Sequence, residues 1–385
     1  MSNSRDANVN REDASGPVAV RLLEMVGRTV SERGLLAEGS PVVLMVSGGS
    51  DSTALACLFA QLRDRGQTGP LAMLHVNHGL RGEAAAADQD FAARLAAQLD
   101  IPFFCCEVDV ALLAKTQGGN VEAIGRQERY AAAKEALESL CLHMALPLSS
   151  GRIATAHTQD DRVESFYMRS IKGTGPGGFR SMLYCNGPVV RPLLDVSREE
   201  LRAYLEERSA QWLPTTRSVD GALWCEDATN AHTDRFRAYV RHELVPLAKA
   251  KNAALLDTLC RTMNLIGDED DFMDRLAADA VVEDVEWVYD SSDESRPDAA
   301  LLRPSFASLD VALARRAVRQ VLLGLLCQDT RLDSAQVEGV LEAFDDGAPK
   351  SGYVGNVAGD LAVSANKGGV LVEPMARFRT RRKRT

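Results

Sequence analysis

The sequence predicts an α/β protein: a doubly wound, mostly parallel sheet with a second, smaller α+β domain at the C-terminal end. Short apolar runs alternate with helix-length segments over the first two thirds of the chain, which is typical of parallel strands joined by crossover helices. Past about residue 250 helical segments dominate, and a glycine-rich run with alternating apolar residues follows. A length of 385 residues accommodates one large and one smaller domain.

The individual elements follow from these patterns. The predicted strands of the first domain are residues 41–46, 71–76, 103–108 and 152–156, and the predicted helices are 52–65, 84–99, 121–140 and 160–171. In the second domain the predicted helices are 253–266, 309–326 and 334–343, and residues 351–373 are predicted to form short antiparallel strands. Ligands of doubly wound sheets bind beyond the C-terminal ends of the strands.

The predicted organisation is a disordered polar leader at residues 1–16, an α/β domain at 17–250, a second domain at 251–376 and a basic tail at 377–385. No apolar run approaches the roughly 20 residues of a membrane helix, so we expect a cytoplasmic protein. The eight cysteines are scattered without a C-x-x-C pair, which favours buried free thiols over a metal or iron–sulfur site.

The charge is distributed unevenly. The net charge is −10, yet it does not exclude a nucleic-acid partner, because a local basic surface can bind phosphates on an acidic molecule. Residues 268–298 hold thirteen acids and two bases, whereas residues 377–384 hold six bases and no acid. The basic segment is expected to be an unstructured arm, with a shaped site as the alternative, and contact of this segment with an RNA backbone stays open.

The strongest motif follows the first predicted strand and opens a helix. It consists of Ser47, Gly48, Gly49, Ser50, Asp51 and Ser52. Glycines let backbone N–H groups approach an anion, serine hydroxyls add donors, and the helix N-terminus adds a favourable dipole. Asp51 is a candidate ligand for phosphate-bound Mg²⁺. A turn that only caps a helix is the alternative, and the lack of lysine separates this loop from G-x-x-x-x-G-K-[ST].

Weaker motifs follow in order. The first three are N-H-G-L-R at 77–81 with His78 and Arg81, G-R-Q-E-R-Y at 125–130 with Arg126 and Arg129, and A-H-T-Q-D-D-R-V-E-S at 156–165 with His157, Asp161 and Glu164. The other four are K-G-T-G-P-G-G beginning at Lys172, R-P-L-L at 191–194, E-D-A-T-N at 226–230, and R-A-Y-V-R from Arg237 to Arg241. Asp161 and Glu164 share a helix face. They suit a cation or a proton transfer, or form a solvated acidic first turn.

The loop resembles that of the PP-loop ATP-pyrophosphatase superfamily, whose members cleave ATP between the α- and β-phosphates. The ordered motifs, over about residues 42–247, resemble those of the tRNA(Ile)-lysidine synthetase family within it. Asn77, Ser165, Lys172 and Ala238 stand where that family usually has Asp, Thr, Arg and Asn.

The resemblance implies ATP-dependent joining of free L-lysine to C2 of the wobble cytidine of a CAU-anticodon tRNA(Ile). The reaction would pass through an adenylated cytidine and release pyrophosphate and AMP, so that the tRNA reads AUA. The cofactors implied are ATP and Mg²⁺, the second domain would contact tRNA, and a homodimer is compatible with the resemblance. Which carboxylate takes the lysine proton stays open.

The resemblance also assigns roles to residues. Residues 47–52, His78 and Arg81 would bind the nucleotide, and Asp51 would hold the metal. Arg129, Lys172 and Arg241 would bind substrate. The residues implied in catalysis are Asp51, Arg126, His157, Asp161, Glu164 and Arg237.

Three alternatives remain. A cluster-dependent tRNA thiolase needs grouped cysteines, and the adjacent Cys105 and Cys106 cannot both face one cluster from a strand. An amidotransferase-linked synthetase needs an ammonia source, for which no N-terminal cysteine nucleophile is present. A non-catalytic nucleotide-binding regulator is disfavoured by the presence of Asp51, Asp161 and Glu164.

Overall fold

The structure, a computed structural model, describes residues 16–79, 82–226, 235–290, 293–326, 332–357 and 360–384. It divides into two compact units, with the division between Asn264 and Leu265. The predicted boundary at residue 250 precedes this point, and one long helix carries the chain across it. Residues 1–15 of the predicted leader lie outside the described residues.

The first unit is built on one sheet. Its strands are β1 (Val42–Met45), β2 (Leu71–Asn77), β3 (Phe103–Glu107), β4 (Arg152–Ala154), β5 (Cys185–Asn186) and β6 (Val189–Val190). Their order is β3-β2-β1-β4-β6-β5, and every neighbouring pair is parallel except β5 with β6. The parallel order places the C-terminal ends of β1, β2 and β4 at one edge, where the predicted motifs follow them.

Helices cover both faces of this sheet. They are α1 (Pro17–Glu32), α2 (Ser50–Asp64), α3 (Glu83–Gln98), α4 (Val110–Gln117), α5 (Val121–His143), α6 (Gln159–Lys172), α7 (Arg198–Ala210), α8 (Arg235–Tyr239) and α9 (Val245–Lys251). Val42 and Leu44 point into a core with α1, α2, α3 and α7, whereas Val43 points into a second core with α5. This alternation follows the two-residue period of a strand and confirms the doubly wound α/β prediction.

The second unit contains an antiparallel sheet. Its elements follow α10 (Leu255–Asp284) and are β7 (Val285–Asp290), β8 (Asp293–Leu302), α11 (Val311–Leu325), α12 (Ser334–Leu341), β9 (Phe344–Asp345), β10 (Ala348–Pro349), β11 (Val354–Val357), β12 (Leu361–Asn366), β13 (Gly369–Pro374) and α13 (Met375–Arg384). The larger sheet has the order β11-β12-β13-β8-β7. The predicted strands within residues 351–373 are therefore confirmed, and the β7–β8 hairpin joins them from the acidic segment.

The predicted unstructured arm at residues 377–385 is wrong for the residues described, because they continue helix α13. Phe378 is buried, and Arg377 and Arg381 both pair with Glu373, whose side chain is 0% exposed. Arg377 also pairs with Asp298 at 2.5 Å. A buried carboxylate and a buried ring therefore hold this segment in a fixed conformation.

The cysteine prediction holds only in part. Cys57, Cys141 and Cys260 are buried, whereas Cys105 and Cys185 are exposed. Cys105 is exposed because β3 is the edge strand of its sheet. No helix within the described residues is long and apolar enough to cross a membrane.

Candidate functional site

The loop after β1 is shaped by its own hydrogen bonds. Gly48 has φ +97°, a conformation that favours glycine, and its carbonyl accepts hydrogen bonds from the Cys225 N–H and from the Thr53 hydroxyl. The Ser47 and Ser52 hydroxyl oxygens lie 3.2 Å apart. Gly49 precedes α2 and has no side chain to cap it. The first amides of a 15-residue helix thus open onto a hydroxyl-rich loop, which suits phosphate binding.

Asp51 lies in the first turn of α2, next to this loop. Its Oδ1 accepts a hydrogen bond from Ser50 Oγ at 2.9 Å, and its Oδ2 accepts one from Arg198 Nε at 3.0 Å. Burial raises the pKa of Asp51, although Arg198 opposes that shift. The carboxylate is thus held beside the loop by a cation from α7.

Helix α6 presents the two predicted carboxylates on one face. Thr158 caps the helix, and its N–H donates to Asp161 Oδ2 at 2.9 Å in a reciprocal capping box. Burial opposes ionisation of Asp161, but Arg198, the Thr158 N–H and neighbouring positive charges outweigh it and lower the pKa. Asp161 therefore remains ionised in the free protein.

Glu164 accepts hydrogen bonds from two guanidinium groups. Its Oε1 accepts from Arg241 Nε at 2.7 Å, and its Oε2 accepts from Arg237 Nε and Arg241 Nη2, each at 3.0 Å. Arg237 Nη2 also reaches Asp161 Oδ1 at 3.3 Å. Arg237 lies in α8 and Arg241 in the π-helical turn Val240–Leu244 that follows it, a local geometry often found at functional sites.

Arg198 is part of this cluster and was not predicted from the sequence. It is the first residue of α7, between the Ser197 and Glu200 of the capping box, and its guanidinium reaches Asp51 and Asp161. A cation at a helix N-terminus opposes the helix dipole, so such a placement indicates a role outside helix stability. The sequence signal that could have identified Arg198 is an S-x-x-E capping box whose first helical residue is basic.

His157 lies at the entrance to α6 and is partly buried. Its Nδ1 is 2.9 Å from Thr155 Oγ1. Burial lowers the pKa of His157 to about 4; Asp161 opposes this shift, and Arg191, Arg126 and Arg237 add to it. The imidazole is therefore neutral at neutral pH and can accept a hydrogen bond.

The other predicted residues are more exposed. Arg129 Nη2 lies 3.3 Å from His78 Nε2, and the exposed Arg126 lies over the Tyr130 ring at 5.2 Å. Lys172, also exposed, lies over the Phe236 ring at 5.1 Å. Arg81 lies outside the described residues. The structure thus brings Asp51, Asp161, Glu164, Arg237 and Arg241 together, whereas His78, Arg126, Arg129 and Lys172 make separate contacts.

Oxygen donors of the kind that Mg²⁺ prefers are present at Asp51 and the serine hydroxyls of the loop. Within the described part of the chain, however, no group of three or more His, Cys, Asp or Glu residues is arranged to hold a metal ion. Nucleotide enzymes usually bind Mg²⁺ through one or two carboxylates, with phosphate and water oxygens completing the shell. The residues fit an ion that arrives with the nucleotide.

In the comparison with protein families, residues 20–248 match a model described as a PP-loop domain. Curated relatives are similar over most of this chain. A tRNA(Ile)-lysidine synthase of Thermus thermophilus is 35% identical over 75% of this chain and 50% of its own length. The enzyme of that name from Solibacter usitatus is 32% identical over 80% of this chain and 62% of its own.

A third relative with that name, from Caldanaerobacter subterraneus subsp. tengcongensis, is 27% identical over 84% of this chain and 64% of its own length. The chain therefore spans between half and just under two thirds of these relatives. The family resemblance predicted from the motifs is confirmed.

Proposed function

This chain belongs to the PP-loop domain family, and on that premise we propose that it is a tRNA(Ile)-lysidine synthase acting in the cytoplasm. It would use ATP to join free L-lysine to C2 of the wobble cytidine of a CAU-anticodon tRNA(Ile). The observation that carries the proposal is that Arg198 forms salt bridges both with Asp51, in the loop of residues 47–52, and with Asp161 and Glu164 on α6. One site thus combines donors for a triphosphate with carboxylates for an ammonium.

The first step needs a nucleotide held by its phosphates. Residues 47–52 would donate hydrogen bonds to them, and Asp51 would hold Mg²⁺, which when bound offsets phosphate charge. The cytidine C2 oxygen would attack the α-phosphorus and release pyrophosphate. Arg198, Arg237 and Arg241 supply forked, permanently charged donors for the negative charge that develops on the leaving group.

The second step needs an unprotonated lysine amine. Asp161 and Glu164 would bind the ε-ammonium and accept its proton, and the amine would then displace AMP at C2. His157 contributes no positive charge at neutral pH, so it would not repel the ammonium. The residues Arg126, Arg129, His78 and Lys172 remain proposed contacts for nucleotide or RNA phosphates, as does Arg81.

The tRNA is the partner that this chemistry requires. A wobble cytidine lies in a single-stranded loop, so it can enter a pocket without breaking a duplex. In the second unit, α13 presents Arg379, Arg382 and Lys383 on one exposed face at spacings of three and four residues. We propose that this face contacts the tRNA backbone. That the protein forms a homodimer remains a prediction.

The test is incorporation of radiolabelled lysine into an unmodified CAU-anticodon tRNA(Ile) transcript with ATP and Mg²⁺. We expect acid-stable, ATP-dependent label that falls at least about a hundredfold in Asp51→Asn. The matched control is Asp64→Asn at the exposed end of the same helix, which should retain the label. Absence of label from wild-type protein that still binds ATP would contradict the proposal and favour a nucleotide-binding regulator.

A further inference from the structure

Arg198 connects the nucleotide loop with the carboxylates of α6. Its Nε donates to Asp51 Oδ2 at 3.0 Å, its Nη2 lies 3.3 Å from Asp161 Oδ1, and its Nη1 lies 3.9 Å from Glu164 Oε1. Within the described residues, no other cation forms salt bridges with both Asp51 and Asp161. Its side chain is 22% exposed, so the pairing is open to exchange with an entering ligand.

Every oxygen of the two α6 carboxylates already accepts a hydrogen bond. Asp161 Oδ2 accepts from Thr158, and its Oδ1 accepts from Arg198 and Arg237. Both Glu164 oxygens accept from Arg241, and Oε2 also accepts from Arg237. The carboxylates therefore offer an incoming cation no oxygen without a donor.

The charges of the cluster balance. Three carboxylates (Asp51, Asp161 and Glu164) face three guanidinium groups (Arg198, Arg237 and Arg241). A lysine ammonium brings a further positive charge to carboxylates that three guanidinium groups already neutralise, so it binds weakly while all three remain in place. A triphosphate on residues 47–52 changes this balance, because guanidinium groups bind phosphate bidentately.

We propose that Arg198 makes lysine binding conditional on the nucleotide. In the free protein it covers Asp161 while it pairs with Asp51. When a nucleotide occupies the loop, Arg198 turns to the phosphates, Asp161 Oδ1 keeps only its bond from Arg237, and the lysine ammonium takes the place that Arg198 leaves. Arg198 thus imposes an order of binding, with ATP before lysine. This inference rests on the proposed function, since it assumes that lysine is the amine bound by Asp161.

The test measures binding, not turnover. Labelled lysine is titrated into the full chain by equilibrium dialysis, alone, with α,β-methylene-ATP and Mg²⁺, and with AMP and Mg²⁺. We expect the analogue to tighten lysine binding by about ten- to a hundredfold, within the usual range of coupling between two sites. AMP lacks the β- and γ-phosphates and should change lysine affinity by less than about threefold. Linkage requires lysine to tighten binding of the analogue by the same factor.

Three substitutions locate the effect. Arg198→Gln should bind lysine more tightly than wild type without nucleotide and lose most of the coupling, because one of the two guanidinium groups that donate to Asp161 Oδ1 is removed. Arg198→Lys keeps the charge and should retain part of the coupling. Arg202→Gln is the matched control, since Arg202 is exposed one turn later on α7 and contacts the Trp224 ring, and it should keep the wild-type coupling. Circular dichroism and thermal melting establish that each variant is folded.

The outcomes separate this inference from the proposed function. Wild-type protein that labels the tRNA with lysine but binds lysine equally with and without the analogue overturns the inference alone. Full coupling in a folded Arg198→Gln variant overturns it as well. Wild-type protein that binds no lysine with the analogue and leaves the tRNA unlabelled overturns both.

Discussion

Helix α6 carries two ionic clusters that differ in burial. On one face, Asp161 and Glu164, which are 11% and 3% exposed, meet three arginines whose side chains are 22–34% exposed: Arg198, Arg237 and Arg241. On another, Arg162 is 1% exposed and donates to Tyr184, Asp195 and Asn264 at 2.8–3.1 Å. The two clusters are formed by neighbouring residues of a single helix.

The difference in guanidinium burial indicates that the first cluster takes part in ligand binding and that the second stabilises the fold. A partly exposed guanidinium can exchange its carboxylate for phosphate at a lower cost than a buried one, because its own charge stays partly hydrated. A fully buried guanidinium cannot leave its partners without a large desolvation penalty. We therefore expect changes in the first cluster to alter chemistry and changes in the second to alter stability.

The largest expected effect is on activity in the first cluster. Asp161→Asn removes the charge that would bind and deprotonate the ammonium, while its side-chain oxygen can still accept from the Thr158 N–H. We expect lysidine formation to fall by about 10²- to 10⁴-fold. Because Asp161 is a buried partner of Arg198 and Arg237, the free energy of unfolding should also fall, by about 1–3 kcal/mol. The control, Asp160→Asn, alters the adjacent carboxylate and should cost only a few-fold. A wild-type rate in Asp161→Asn would remove this role.

In the second cluster the expected effect is on stability. Arg162→Met leaves Asp195 without its buried cation and should lower the free energy of unfolding by about 3–5 kcal/mol, measured by urea denaturation. Arg315→Met breaks an exposed pair with Glu338 and should cost about 1 kcal/mol or less. Equal losses in the two variants would refute the contrast between exposed and buried pairs.

His157 adds a pH dependence beside the first cluster. Its pKa is about 4 when folded and about 6.5 in the unfolded chain, so the unfolded state binds more protons between these values. The free energy of unfolding should therefore rise with pH from about 4 to 6.5, by at most about 3.4 kcal/mol, and this contribution is lost as pH falls. His157→Gln should remove this part of the slope, and the exposed His143→Gln should not.

The smallest expected effect tests the same contrast within α13. Arg377 and Arg381 are paired with acids, whereas among the described residues Arg379, Arg382 and Lys383 show no salt bridge. Arg382→Gln should weaken tRNA binding and reduce the slope of log affinity against log salt by about 0.7–0.9. Lys367→Gln, in the exposed turn between β12 and β13, should leave the slope unchanged. Identical slopes for Arg382→Gln and wild type would exclude this helix face.

Much of the first unit could be predicted from the sequence because its signals are local. The four strands that precede the motifs were placed within two residues of their observed ends, since buried parallel strands are short β-branched runs. The hairpin of β7 and β8 was missed because its acidic residues obscure the apolar alternation of Val285 and Trp287. The fixed helix at residues 375–384 was missed because it depends on Glu373 and Phe378 being buried.

The sequence by itself determined the doubly wound fold, the phosphate-type loop, and the placing of Asp161 and Glu164 on one helix face. These follow from periodicities and spacings of a few residues. Only the tertiary structure decided which cations meet those carboxylates. Arg198 lies 147 residues from Asp51, and Arg241 lies 77 residues from Glu164. Such pairings depend on how the sheet brings distant helix termini to one edge, and no local pattern encodes them.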